Sequence, residues 1–265
     1  MKKILLSLVA ILSINIALLA QENSPKKQFF FDFGLGGSLH SFQDAKYSDV
    51  RYNGIGATGN IDFTWRRKSI ISTGIEGYYS KEKPKTFDSG VYSTEYNISL
   101  YLKYLHPIIK NDIYNIYMGG KVDLYSMSIR NTFPLENNSF YLTSSIGFKA
   151  VTMYERRLND LWILNADLGL QLFSFMNEYM SFAYAADQIT LEKGEYNYDE
   201  AEAPLRMTPF WDYFNIETNI KVQYGERWIF GYSWKMQQSY ATKDYKMTKG
   251  YSSLIVTYRI VNKTR

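Results

Sequence analysis

Few side chains in this sequence can do acid–base or nucleophilic chemistry. There are two histidines, His40 and His106, and no cysteine. The lack of cysteine excludes disulfides, thiolate nucleophiles and a lipid anchor on Cys. His40 stands two residues from Ser38, a spacing that puts both on one face of an extended strand. A Ser–His pair for nucleophilic attack is therefore conceivable. Same-face neighbours arise in any strand, however, and a histidine at the rim of an interior is the preferred reading. His106 precedes Pro107, where proline is turn chemistry, and is expected to be solvated in a turn. No Cys/His cluster has zinc-ligand spacing. The glycine-rich run Gly34-Leu35-Gly36-Gly37 lies within a strand pattern. It is read as easing curvature or close packing, not as a phosphate loop. No metal and no cofactor are expected, and the chain is read as a non-enzyme.

The elements that carry these residues announce themselves by a period of two. Segments of alternating polar and apolar residues recur about ten times after residue 27. Tyr92-Ser93-Thr94-Glu95-Tyr96-Asn97-Ile98-Ser99-Leu100-Tyr101-Leu102-Lys103-Tyr104 shows the pattern. Strands are expected at about 28–42, 54–65, 69–80, 92–104, 113–130, 139–155, 161–175, 210–224, 228–240 and 251–261. Their junctions are alternately short (66–68, 106–112, 156–160, 225–227) and long (43–53, 81–90, 131–138, 177–209, 241–249). Several segments reach about 13 residues, more than the ~9–11 that a tilted membrane-spanning strand needs. Short turns on one side and long loops on the other, with aromatics at 17% of the chain, match a bacterial outer membrane barrel. The expected fold is all-β: a transmembrane antiparallel up-and-down barrel of about ten strands, both termini periplasmic. A soluble lipocalin-like barrel or β-sandwich is the alternative, and it would use shorter strands around an apolar core.

The N-terminus has the form of a secretory signal. Lys2 and Lys3 precede a mostly apolar stretch, and Ala20 stands before Gln21. The expected organisation is a cleaved signal at 1–20, a periplasmic segment at 21–27, a barrel at 28–261 with a long outer loop at 177–209, and a tail at 262–265. A net charge of +4 spread over turns is too mild to imply nucleic acid. The inward positions carry both signs. A lumen charge network is expected from Asp32, Asp62, Glu76, Asp123, Asp167 and Glu217 with Lys103, Lys121, Lys149, Lys221, Lys235 and Arg259; Glu95 shares the inward face. About ten strands leave a narrow interior, which such side chains would fill. A selective small-solute channel is the sharper alternative. The loop at 177–209 is the candidate interaction surface, through Asp187, Glu192, Glu195, Tyr196, Tyr198, Asp199, Glu200 and Glu202.

The mature chain resembles the small outer membrane β-barrel proteins of Bacteroidota. The carrying features are Leu19-Ala20-Gln21, the opening Phe31-Asp32-Phe33-Gly34-Leu35-Gly36-Gly37, the Tyr/Lys/Asn-rich strands and the closing Tyr258-Arg259-Ile260. The end, Val261-Asn262-Lys263-Thr264-Arg265, departs from the terminal aromatic that many barrels use in assembly. Omptin-type proteases carry an Asp-x-His pair, which is absent here. Outer-membrane phospholipases use Asn-His with a downstream Ser, where this chain has Leu39-His40-Ser41. The resemblance implies accessory subunits of secretion, assembly or uptake machines, with adhesins and porins as further roles. The expected partners are the lipid bilayer, lipopolysaccharide and other outer membrane proteins. A narrow diffusion channel is the alternative function and an outer-rim hydrolase a third.

Overall fold

The computed structural model describes residues 28–44, 48–85, 92–133, 137–184, 197–242 and 245–263. The signal at 1–20 and the segment at 21–27 lie outside these residues. The chain forms eleven strands: β1 (Gln28–Asp44), β2 (Ser48–Arg66), β3 (Ile70–Pro84), β4 (Tyr92–Lys110), β5 (Tyr114–Phe133), β6 (Asn137–Arg157), β7 (Trp162–Tyr184), β8 (Asn197–Pro209), β9 (Tyr213–Tyr224), β10 (Trp228–Thr242) and β11 (Tyr245–Lys263). All neighbours pair antiparallel, and the sheet closes where β1 meets β11, from Gln28↔Lys263 to Asp44↔Met247. The wall has ten strands, because β8 and β9 occupy one position in series. The lower part of β7 pairs with β9 and the upper part with β8.

Burial is inverted relative to a water-soluble core. Ile55 is 72% exposed and Leu254 69%, while Glu82 is fully buried and Glu95 is 2% exposed. Apolar side chains on one face of each strand therefore point out, and polar ones point in. Aromatic pairs mark the lower rim: Phe29–Trp65 with ring centroids 5.9 Å apart, Trp162–Tyr224 at 4.7 Å and Trp228–Tyr258 at 5.2 Å. Tyr79–Tyr96 at 4.8 Å and Phe148–Phe173 at 4.5 Å mark the upper rim. From Trp65 to Ile55 the chain climbs roughly 33 Å at ~3.3 Å per residue. With a tilt of about 40°, this spans about 25 Å, the height of a lipid-facing band.

The lower turns repeat one device. Asn111 Oδ1 accepts the backbone N–H groups of Ile113 and Tyr114 at 3.0 and 2.7 Å, and Asn159 Oδ1 does the same for Leu161 and Trp162 at 2.9 Å each. Asparagine reverses the chain this way by mimicking a backbone carbonyl. Gly225, at φ 59°, supplies the left-handed residue of another turn.

Several expectations are corrected. The described parts of the span 177–209, which are 177–184 and 197–209, are strand and not loop. β7 continues to Tyr184 and β8 begins at Asn197, so the two form a hairpin rising above the band. The described part of the terminal tail, Asn262 and Lys263, is strand, with Asn262 opposite Phe29. His106 lies in β4, which runs on to Lys110, and its Nδ1 is 3.3 Å from Ser69 Oγ. Strict alternation along β5 would put Tyr125 in the lumen. A bulge at Leu124 lets both Leu124 and Tyr125 face out, 44% and 46% exposed; one extra residue reverses the parity of the rest of the strand.

The inward glycines serve close approach. A Cβ on Gly36 would lie 2.0 Å from the Leu254 carbonyl oxygen, whereas one on Gly37 would find nothing nearer than the Gly56 carbonyl at 4.0 Å. Gly36→Ala is expected to cost about 1–3 kcal/mol, as overpacking does. Gly37→Ala is expected to stay within about 0.5 kcal/mol. Urea unfolding in lipid vesicles, followed by tryptophan fluorescence, measures both.

Candidate functional site

The candidate site is the lumen, built in three tiers from alternate residues of every wall strand. The lower tier is a floor. Ile70, Leu105, Tyr117, Val151 and Met153 form a buried apolar cluster. Arg66, at the end of β2, reaches across it and forks onto Glu155 of β6 at 2.7 and 2.5 Å, while its Nη2 also donates to Tyr117 at 2.9 Å. A second fork joins Arg259 to Asp32, both contacts at 2.7 Å. The guanidinium of Arg259 sits 4.4 Å from the Phe30 ring centroid. Planar two-point pairing of this kind fixes both partners.

The middle tier gathers most of the charges expected from the sequence. Lys121 lies 3.2 Å from Glu217, 3.5 Å from Glu76 and 3.6 Å from Asp123. Lys149 reaches Glu217 at 2.6 Å and Asp123 at 3.0 Å, and Lys235 reaches Glu76 at 2.6 Å. Asp62 accepts from the Tyr101 hydroxyl and from Asn60, each at 2.5 Å. Asp167 accepts from Asn219 at 2.6 Å, with Lys103 at 3.7 Å. Lys221 lines a cavity of about 80 Å3 in this tier and has no carboxylate within ion-pair distance among the described residues. All twelve residues of the expected network thus belong to the lumen, and Lys221 alone stands outside its ion pairs and hydrogen bonds.

The upper tier was largely missed. Arg130 is clamped between Glu82, at 2.6 Å, and Glu95. Glu95 also takes Lys249 at 2.8 Å, Ser128 at 2.6 Å and Tyr78 at 3.1 Å. The face of Phe42 lies 3.6 Å from the Arg130 guanidinium carbon. Glu82, Arg130 and Lys249 fall at or beyond the ends of the expected strands. Parity was the available signal for two of them: Glu82 continues the inward series Glu76, Tyr78, Ser80, and Lys249 precedes Tyr251 and Ser253. Arg130 lies beyond the bulge at Leu124, where strict alternation would have turned it outward.

Ser38 and His40 do meet, with Oγ to Nε2 at 2.8 Å. Both are buried, at 5% and 6% exposure, and the imidazole is flanked by the rings of Tyr78 and Tyr251 at 4.6 and 5.0 Å. The neighbouring cavity measures about 20 Å3. That volume holds about one water. Two further cavities along the lumen measure about 40 and 30 Å3. Of the expected outer-loop residues, Asp187, Glu192, Glu195 and Tyr196 lie outside the described residues. Tyr198, Asp199, Glu200 and Glu202 lie on β8, opposite Ala183, Phe182, Ser181 and Tyr179 of β7.

No protein-family model and no curated protein matches the chain. Solved structures do. The outer membrane protease OmpT from Escherichia coli aligns at TM-score 0.49 and 8% identity, over 91% of this chain and 99% of that one. The translocator domain of the autotransporter NalP from Neisseria meningitidis aligns at 0.37 and 8%, over 96% and 95%. The attachment invasion locus protein Ail of Yersinia pestis aligns at 0.32 and 10%, over 87% and 98%.

Removing Arg130 would leave two buried carboxylates facing one lysine. Arg130→Met is expected to destabilise the barrel by about 3–5 kcal/mol. Adding Glu82→Gln and Glu95→Gln should recover part of that loss, while Lys103→Met, which breaks only a 3.7 Å pair, should cost much less. Urea titration in vesicles ranks the variants, and a wild-type-like Arg130→Met would overturn the structural role of the clamp.

Proposed function

We propose that the chain is an integral outer membrane barrel whose lumen is a structural core, and that it works as a non-enzymatic accessory or interaction subunit of an envelope complex. The observation that carries this reading is the filling of the lumen from floor to upper rim. An apolar floor, two arginine forks and a multi-centre ion-pair network leave cavities of at most about 80 Å3 among those described. That volume admits a few waters. A barrel that passes nothing through its centre must act through its outer surfaces. The hairpin of β7 and β8 is the surface of choice. It rises past the lipid band, and β8 pairs with β7 alone among the described residues. An extended hairpin with one open edge can receive a partner by strand addition, and the acidic, Tyr-rich run from 187 to 202 would select that partner.

A second reading, a narrow diffusion channel, draws on one observation. The cavity of about 80 Å3 and the smaller one of about 40 Å3 share Glu76, Tyr78, Asn97 and Lys235 in their walls, so polar space continues along the axis. Planar-bilayer recording separates the two. The core reading expects no resolved conductance steps from the wild-type chain; steps that change with Lys103→Glu or Lys221→Glu would establish the channel instead.

The interaction reading is tested by mild-detergent recovery of the tagged chain from native membranes. A stoichiometric partner is expected with the intact chain, and its recovery should fall at least about tenfold on deletion of 186–203. Heat-modifiable electrophoretic migration should stay unchanged, because the deletion spares every strand of the wall below the upper rim. Equal partner recovery from both chains would remove the hairpin from the proposal.

A further inference from the structure

The outward face of β2 and β3 changes character just above the upper aromatic rim. Below that level it carries Ile, Phe and Trp. Above it come Lys81, Lys83 and Lys85, on alternate residues and all exposed, with Arg51 of β2 beside them. The backbone N–H of Lys85 donates to the Arg51 carbonyl at 2.8 Å, which brings the two chains together at this height. Lys81 stands over the ring of Tyr92 at 4.3 Å, and Arg51 Nε donates to Ser41 at 2.7 Å. Along the described outward positions at 51–57, 79–85 and 92–96 there is no carboxylate. Among the described side chains nearby, the acidic ones, Glu82 and Glu95, point inward onto Arg130.

Height decides what these cations meet. Ile71 pairs with Trp65 of the lower rim, and Lys81 stands ten residues further up β3. At ~3.3 Å per residue and a tilt of about 40°, that is about 25 Å along the membrane normal. Lys81 therefore stands at the upper edge of the hydrocarbon, with Lys83 and Lys85 just beyond it. Among the described outward residues near this height elsewhere on the wall, Phe148, Phe173, Trp234 and Met236 are uncharged. A one-sided row of cations at headgroup depth, next to aromatic side chains and with no carboxylate on the same described face, is the complement of a polyanionic lipid head.

We propose that this wall binds the phosphate groups of the phosphorylated glycolipid of the outer leaflet. The inference rests on the membrane-spanning reading above and adds a site and a ligand class to it. Alternate residues about 7 Å apart let neighbouring ammonium groups engage separate phosphate oxygens. Each such contact is a charge-assisted hydrogen bond at the boundary of a low-dielectric layer, where it is stronger than in water.

The test uses the full chain in phosphatidylcholine nanodiscs doped with bisphosphorylated lipid A or with the same lipid A dephosphorylated, reading retained lipid by native mass spectrometry. The phosphorylated form alone should stay bound. Affinity should fall about fivefold for each cation removed in Lys81→Gln, Lys83→Gln and Lys85→Gln, and the matching Lys→Arg variants should retain it. Equal retention of the two lipids by the wild type would overturn the proposal without any variant. So would full affinity in the triple Gln variant. Displacement of lipid A by equimolar inorganic phosphate would also overturn it, by assigning the site to a soluble anion. Heat-modifiable migration in undoped phosphatidylcholine is read first; failure to insert there would bring down the membrane-spanning reading, and with it this site.

Discussion

A backbone amide in hydrocarbon has no water to turn to, and this constraint shapes the rest of the molecule. Every wall strand must pair on both sides through the lipid band. The register from Gln28↔Lys263 upward meets that demand by joining the first strand to the last. Closure at ten strands then sets the diameter, and the diameter sets what the lumen can hold. The inverted burial pattern, with Ile55 facing out and Glu82 sealed in, has the same cause: the apolar face has lipid as its solvent, and the polar face has only itself.

Charges sealed inside a narrow tube must be balanced almost residue by residue, since an unpaired buried ion costs several kcal/mol. The lumen meets this with pairs that cross the barrel beside pairs within one strand or between neighbours, such as Lys121–Asp123 and Arg259–Asp32. Lys235 reaches Glu76, Arg66 reaches Glu155 and Lys121 holds three carboxylates from three different strands. The same groups that satisfy one another also crowd the axis, which is the ground of the core reading proposed above. Ser38 and His40 belong to this packing: their hydrogen bond satisfies two buried polar groups between two tyrosine rings.

Alternation made most of the wall legible from sequence. Inside the band each strand has one lipid face and one lumen face, so the period of two is sharp. The parity of Asp62, Lys121 or Glu217 could be read directly, and with it the membership of the lumen network. Above the band both faces are polar, the contrast vanishes, and strand looks like loop. This is why Glu82 and Lys249 were missed, and why the upper parts of β7 and β8 passed for a long loop. A second class of miss came from local geometry. The bulge at Leu124 leaves no mark in composition, yet it turns Tyr125 to the outside. Sequence also names the charges without naming their partners, since the match of Arg130 to Glu82 depends on shear across two strands.

The seam between β1 and β11 has a kinetic side. Its two strands come from opposite ends of the chain, and every residue of β1 finds its second neighbour on β11. During synthesis β1 is made first and must wait for the entire remainder of the chain before that edge can be covered. Contact order this high makes folding slow, and an uncovered edge rich in Phe recruits other strands meanwhile. A nascent barrel of this design is therefore an aggregation hazard for as long as its last strand is missing. Shielding that edge until β11 arrives would lower the hazard, and the meeting of the two ends is the step that removes it.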